Sequence, residues 1–182
     1  MFASDLTLVG VSFCTARSRL AGLIRGGGLL AAAQEAYGTG LAGLSRADES
    51  LAPVLGMSRL VEVRSGDLVD RGDAVVVALR WEAIGPGGGL FPALDANLTL
   101  AAAGPAVTTV RLEGAYRLPQ GDGDGAAAGL DRRVVRGVAA ATIGAFLGHV
   151  GASIATPVPM TGTEGEGGRW ARSWRPPEAE AL

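Results

Sequence analysis

Few side chains in this 182-residue chain can do acid–base or covalent chemistry, and their scarcity narrows the reactions open to it. His149 is the only His, and the only side chain whose ordinary pKa lies near neutrality. Aimed into a cavity it would hydrogen-bond a ligand carbonyl or act as a general base. A base needs an orienting group, however, and no Asp or Glu lies within a helical turn of it, which favours a structural or solvent-edge role. Cys14, the only Cys, stands beside Thr15 and Arg17 with no local base, so a small packed residue is expected there and not a nucleophile. With one Cys and one His, an intramolecular disulfide, a Cys-based zinc site and a multi-His metal centre are all excluded. No metal and no cofactor is therefore expected. All 16 basic residues are Arg, which removes Schiff-base chemistry and a phosphate-binding P-loop Lys. Tyr116, with its hydroxyl, joins His149 as the second catalytic candidate if the protein is an enzyme.

The background of these residues is bland. Ala (32) and Gly (29) make up a third of the chain, and the formal charge is −2, so a broad basic surface for nucleic acid is not expected. Gly26-Gly27-Gly28 and Gly85-Pro86-Gly87-Gly88-Gly89 lack both the G-x-G-x-x-G spacing after a strand and a following basic residue, so neither is a nucleotide motif. The first residues, MFASDLTLVGVSF, carry Asp5 and no basic n-region, so no secretory signal is expected and a cytoplasmic location is. Residues 137–155 hold no charge over 19 positions and follow Arg132, Arg133 and Arg136. Their Ala and Gly content gives too little transfer free energy for a membrane span, so a core helix is expected.

The elements that position the candidates follow from periodicity. Residues 6–13 alternate as a strand, with Leu6, Leu8, Gly10 and Ser12 opposite in sense to Thr7, Val9, Val11 and Phe13. Thr15 can cap a short helix running into the Gly triplet, and an Ala/Leu-rich helix follows over 29–44. Four strands are expected over 59–69, 74–84, 91–100 and 107–118, then a long helix from about 130 to 155. A turn at 70–73 sets Val61 and Val63 against Trp81 and Leu79, and Glu62 against Arg80. Alternation then gives one apolar face, including Val77, Leu79, Trp81, Leu98, Leu112 and Tyr116, and one wet face with Arg80, Asp95, Arg111 and Glu113. A bulge at Gly66 would invert part of this. The last helix offers a stripe of Val135, Val138, Thr142, Ile143, Phe146, Leu147, Val150 and Ile154, with His149 on its Thr142/Phe146 flank. The class is α+β: one layer of helix against one curved antiparallel sheet, with two short helices after strand 1.

Several of these segments carry a likeness. Arg80-Trp81-Glu82, the run from Phe91 through Asp95-Ala96-Asn97 to Leu100, Thr109, Gly114-Ala115-Tyr116 with Pro119, Leu130-Asp131-Arg132, Val138-Ala139, Thr142 and Phe146-Leu147 resemble the SRPBCC superfamily, in particular its actinobacterial members. That helix-grip group includes START lipid-transfer domains, polyketide cyclase/dehydrase proteins and the birch-pollen-allergen fold. The likeness covers about residues 4–156; it rests on scaffold residues and includes no catalytic signature, and a single Pro119 stands where the pattern has two. The resemblance implies a bent sheet wrapped around the C-terminal helix, with an elongated cavity between them. Its wall would comprise Val77, Leu79, Trp81, Leu98, Leu112, Tyr116, Thr142, Phe146 and His149. In such a fold core and cavity wall are one surface, so Trp81 and Tyr116 suit either role equally.

The chain is thus expected to divide into a helix-grip domain, 1–156, and a Pro/Gly-rich, unstructured tail, 157–182. Trp170 and Trp174, flanked by Arg169, Arg172 and Arg175, interrupt that tail and suit docking on a protein partner or on its own domain. The expected function is binding, transport or sequestration of a small hydrophobic molecule. The alternatives are a polyketide-type cyclase/dehydratase in the same cavity and an interaction module using the tail, in a monomer or dimer with no membrane span.

Overall fold

The structure, a computed structural model, describes residues 2–47, 60–84, 93–117 and 132–156. Their order is β1 (Phe2–Val9), α1 (Phe13–Arg25), α2 (Gly28–Ala47), β2 (Leu60–Asp70), β3 (Ala74–Ile84), β4 (Ala93–Gly104), β5 (Val107–Arg117) and α3 (Arg132–Ala155). The strands form one wholly antiparallel sheet in the order β1-β5-β4-β3-β2. The return of the first strand to the far edge beside the last is what allows one helix to lie along the sheet, and the result is an α+β helix-grip fold.

Rows of facing side chains define the inner face. Val63, Trp81, Leu94 and Tyr116 form one row; Leu79, Ala96 and Gly114 the next; Val77, Leu98 and Leu112 the third; Val75, Leu100 and Val110 the fourth. All but Val63 and Gly114 are buried. The alternation read from the sequence therefore assigns the faces of β3, β4 and β5, because a period of two leaves no freedom once one face is covered.

Three local readings need correction. β1 begins and ends four residues earlier than its alternation suggests. Ser12, not Thr15, caps α1: its Oγ accepts the Thr15 N–H at 3.4 Å, and Ser12 backbone is extended. That cap draws residues 13–16 into the helix, and the Thr108 hydroxyl, donating to the Val11 carbonyl at 2.9 Å, holds the connection against β5. In the first hairpin the register slips by two. Val63 faces Trp81, Val61 faces Ala83, and Arg64, not Glu62, faces Arg80. The cause is an irregularity between Ser65 and Leu68, where the pairing shifts. Up to that point the odd residues stay inward, so Glu62 and Arg64 remain outside. Beyond it Leu68 pairs with inward Val77, and Val69 is left 47% exposed on the other face. Like charges now face each other, but Arg64 reaches Glu62 at 2.7 Å and Arg80 reaches Glu82 at 3.4 Å along their own strands.

The helices all cover the inner face. α3 lies against β1 and beside α2, α2 reaches β2, and α1 crosses β4 and β5. Small residues set these distances. A Cβ on Gly40 would collide with the Thr142 hydroxyl, and one on Gly43 would touch Val138. A Cβ on Gly151 would come 3.0 Å from a Thr7 methyl. The Ala and Gly excess thus serves close helix–helix and helix–strand approach. Arg19 of α1 closes the end of α3 by donating to the carbonyls of Ile154 (2.5 Å) and Ala155 (2.9 Å). Residues 136–155 have the length and hydropathy of a membrane span, yet half of that window is buried inside the domain, as in a core helix.

Candidate functional site

α3 sits close to one edge of the sheet and stands off from its middle. At β1 it approaches within side-chain contact through Gly144, opposite Asp5, and Gly151, opposite Thr7 and Val9. Over β3 the gap is filled by two aromatic rings, Trp81 and Phe146, whose centroids lie 5.3 Å apart at a 45° tilt. The interior is a wedge, and Trp81 and Phe146 bridge its wide side.

That wedge is not uniformly closed. Val75, Val77, Leu98, Leu100 and Val110 have no exposed surface, and α1 shuts this end with Ala16 and Leu20, equally inaccessible. Accessibility returns toward the other end: Leu79 and Trp81 are 5% exposed, Val61 7%, and Ala96, Tyr116 and Val138 8%. Among the described residues of β3, β4 and β5, the small remaining exposure of the inner face is greatest at and next to the row of Trp81 and Tyr116. The chain leaves the described residues beside that row, at Ile84 and at Arg117.

The expected cavity residues fall into three groups. Leu79, Trp81 and Tyr116 meet at the accessible end, with Phe146 packed on Trp81. Val77, Leu98 and Leu112 belong to the closed end and are core side chains. Thr142 is buried at the α2–α3 seam, its hydroxyl donating to the Val138 carbonyl at 2.7 Å, so it serves the helix and faces Gly40. His149 is a correction: it is exposed. The buried stripe of α3 rotates along its length, because Val138 and Thr142 face α2 whereas Leu147, Gly151 and Ile154 turn toward the sheet edge and α1. A residue two turns beyond Thr142 has fallen off that stripe. Trp170 and Trp174 lie outside the described residues, as does the tail assigned to 157–182.

Sequence reasoning missed Val61, Leu94, Ala96 and Val138 at the accessible end, although strand parity and the α3 stripe already placed them inward. It also missed Tyr37, the largest fully buried side chain among the described residues. Burial pushes its phenol up to about 12. The signal was present: Tyr37 continues the arc of Leu29, Ala33, Ala36 and Gly40 on α2.

Chemically the accessible end is an apolar surface with one phenol, Tyr116. Cys14 is exposed on α1 and not packed as its residue type suggested, because it falls on the side of that helix away from Ala16 and Leu20. Among the described residues no three His, Cys, Asp or Glu side chains converge on a metal position. A concavity of about 750 Å3 lies on the opposite face of the sheet, which no described helix covers, among Phe2, Arg64, Ala78, Arg80, Asp95 and Glu113. Its charges are largely matched: Arg80 lies 3.8 Å from Asp95, and Glu113 pairs with Arg111 at 2.7 Å.

No protein-family model and no curated protein matches this sequence. Among solved structures, the chain is similar to a conserved protein from Geobacillus kaustophilus (12% identity, TM-score 0.46, 85% of this chain and 95% of that one). It is also similar to the Zhui aromatase/cyclase from Streptomyces sp. R1128 (12%, 0.39, 85% and 93%) and to a Thermus thermophilus protein (13%, 0.40, 85% and 97%).

Proposed function

We propose that this domain binds a small apolar molecule at the Trp81–Tyr116 end of the wedge between sheet and α3, and that it is an actinobacterial-type SRPBCC protein acting in the cytoplasm. The observation that carries the binding site is the gradient of closure: one end of a continuous apolar interior is dry and shut by α1, while the other is lined by two large amphipathic aromatics and stays within reach of solvent. Trp81 and Phe146 supply a stacking and packing surface, and the Tyr116 hydroxyl supplies one polar contact to orient a carbonyl or hydroxyl of the ligand. A cyclase or dehydratase in the same space is the second reading, favoured only by Tyr116 facing inward at this end; His149, on the outside, is not available to it.

Native mass spectrometry of the purified full chain should find a co-purified apolar molecule, and a fluorescent apolar probe should bind saturably. Trp81→Ala should weaken probe binding by about tenfold or more, whereas Val77→Ala should leave it unchanged. Absence of saturable binding in the folded protein would sink this proposal. Turnover of a polyketide-type substrate that Tyr116→Phe abolishes without loss of binding would move the function to the enzyme.

A further inference from the structure

The outer face of β1 presents apolar side chains that nothing in the described structure covers. Phe2, Leu6 and Leu8 are 71%, 58% and 62% exposed, and all three point away from the helices, on the face opposite Ala3, Thr7 and Val9. Together they expose apolar surface on the order of 300 Å2, large for one strand of a small domain. At Phe2 the strip runs into the 750 Å3 concavity, whose charged residues Arg64, Arg80, Asp95 and Glu113 balance.

We propose that this strip is the docking site for residues 168–176 of the same chain, with Trp170 and Trp174 packed on Phe2, Leu6 and Leu8. Three observations select this occupant. The first is the exit point. α3 ends at Ala155 next to β1, since Gly151, one turn earlier, lies against Thr7 and Val9. Trp170 follows Thr156 by fourteen positions. As a Gly-rich coil that segment spans about 20 Å on average, nearly the length of an eight-residue strand at about 3.3 Å per residue. Such tethering gives an effective concentration in the millimolar range, so a weak contact suffices. The second is chemistry. Two indole side chains match, in size and polarity, an exposed strip of one Phe and two Leu. The third concerns the competing occupant, a second copy. Two such strips would bury roughly 600 Å2, about half of what a stable interface needs. Strand-edge pairing is also obstructed, because the Leu6 N–H already donates to the Asp5 carboxylate at 2.8 Å.

The test uses the full chain and a Glu-specific protease, whose sites at Glu166 and Glu178 flank the tryptophans and are left intact by every substitution. Leu6→Ser/Leu8→Ser changes only exposed positions, and Trp170→Ala/Trp174→Ala leaves 1–156 untouched. Each should raise the cleavage rate at these two sites by about tenfold, since cleavage follows the population of the undocked segment. Equal rates in the parent and both variants would overturn the proposal. So would a dimer in light scattering that Leu6→Ser/Leu8→Ser dissociates and Trp170→Ala/Trp174→Ala does not, which would assign the strip to a second copy. Probe binding at Trp81 is independent of either outcome, so failure here leaves the cavity proposal standing.

Discussion

The two ends of the interior are built from the same strands and nearly the same residue types, yet they differ in what closes them. At the Val75–Leu100–Val110 end, α1 adds Ala16 and Leu20, the Thr108–Val11 hydrogen bond ties the β1–α1 connection down, and every side chain is dry. At the Val63–Trp81–Leu94–Tyr116 end α1 is absent, and the inner surface keeps a few percent of its exposure. An identical apolar pattern is thus core at one end and candidate binding surface at the other, because burial depends on the covering element and not on the strand.

The strongest way to break this comparison is to make the same truncation at both ends. Leu98→Ala should cost about 4 kcal/mol, since a dry, fully surrounded site leaves an unrelieved cavity, whereas Leu79→Ala should cost about 2 because solvent and neighbours can move in. Chemical denaturation of both variants reads the difference; equal losses would mean that the two ends are equally closed. A second effect tests the α2 side of the interior. Tyr37, raised from 10 to about 12 by burial, stays neutral in the folded chain while its unfolded counterpart ionises. The contribution of this phenol to stability should therefore be constant below pH 10 and fall as pH rises toward 12, by up to ~2–3 kcal/mol. Tyr37→Phe should remove that fall. If the alkaline limb of thermal melting is the same in Tyr37→Phe, the phenol is not the group that is held neutral. The smallest effect belongs to His149. His149→Ala should change stability by less than about 0.5 kcal/mol and leave probe binding as it was, in keeping with a solvent-facing side chain; a clear loss of binding would return it to the site.

Much of this was legible from residues alone. Period-two alternation placed Leu79, Trp81, Leu98, Leu112 and Tyr116 inward, and the three–four spacing of Val138, Thr142, Phe146 and Val150 identified the buried stripe of α3. Where the reading slipped, a local device intervened. Ser12 outcompeted Thr15 as a cap, and the irregularity at 65–68 reset the first hairpin's register. His149 was misplaced for a different reason. A helical stripe extrapolates only while one neighbour faces it, and α3 passes from α2 to the sheet edge and α1 along its length. The apolar outer strip of β1 was hidden by shifting that strand toward Phe13, which left Phe2 outside the pattern.

By itself the sequence determined the fold class, the faces of the central strands and the poverty of catalytic groups: one His, one Cys and no Lys are facts that no packing can alter. Only the tertiary structure decided which apolar residues are fully dry and which keep a few percent of their exposure, that Gly40, Gly43 and Gly151 serve close approach, and that His149 is outside. The physical reason is that periodicity reports which side of its own element a residue occupies, while accessibility depends on where a second element ends.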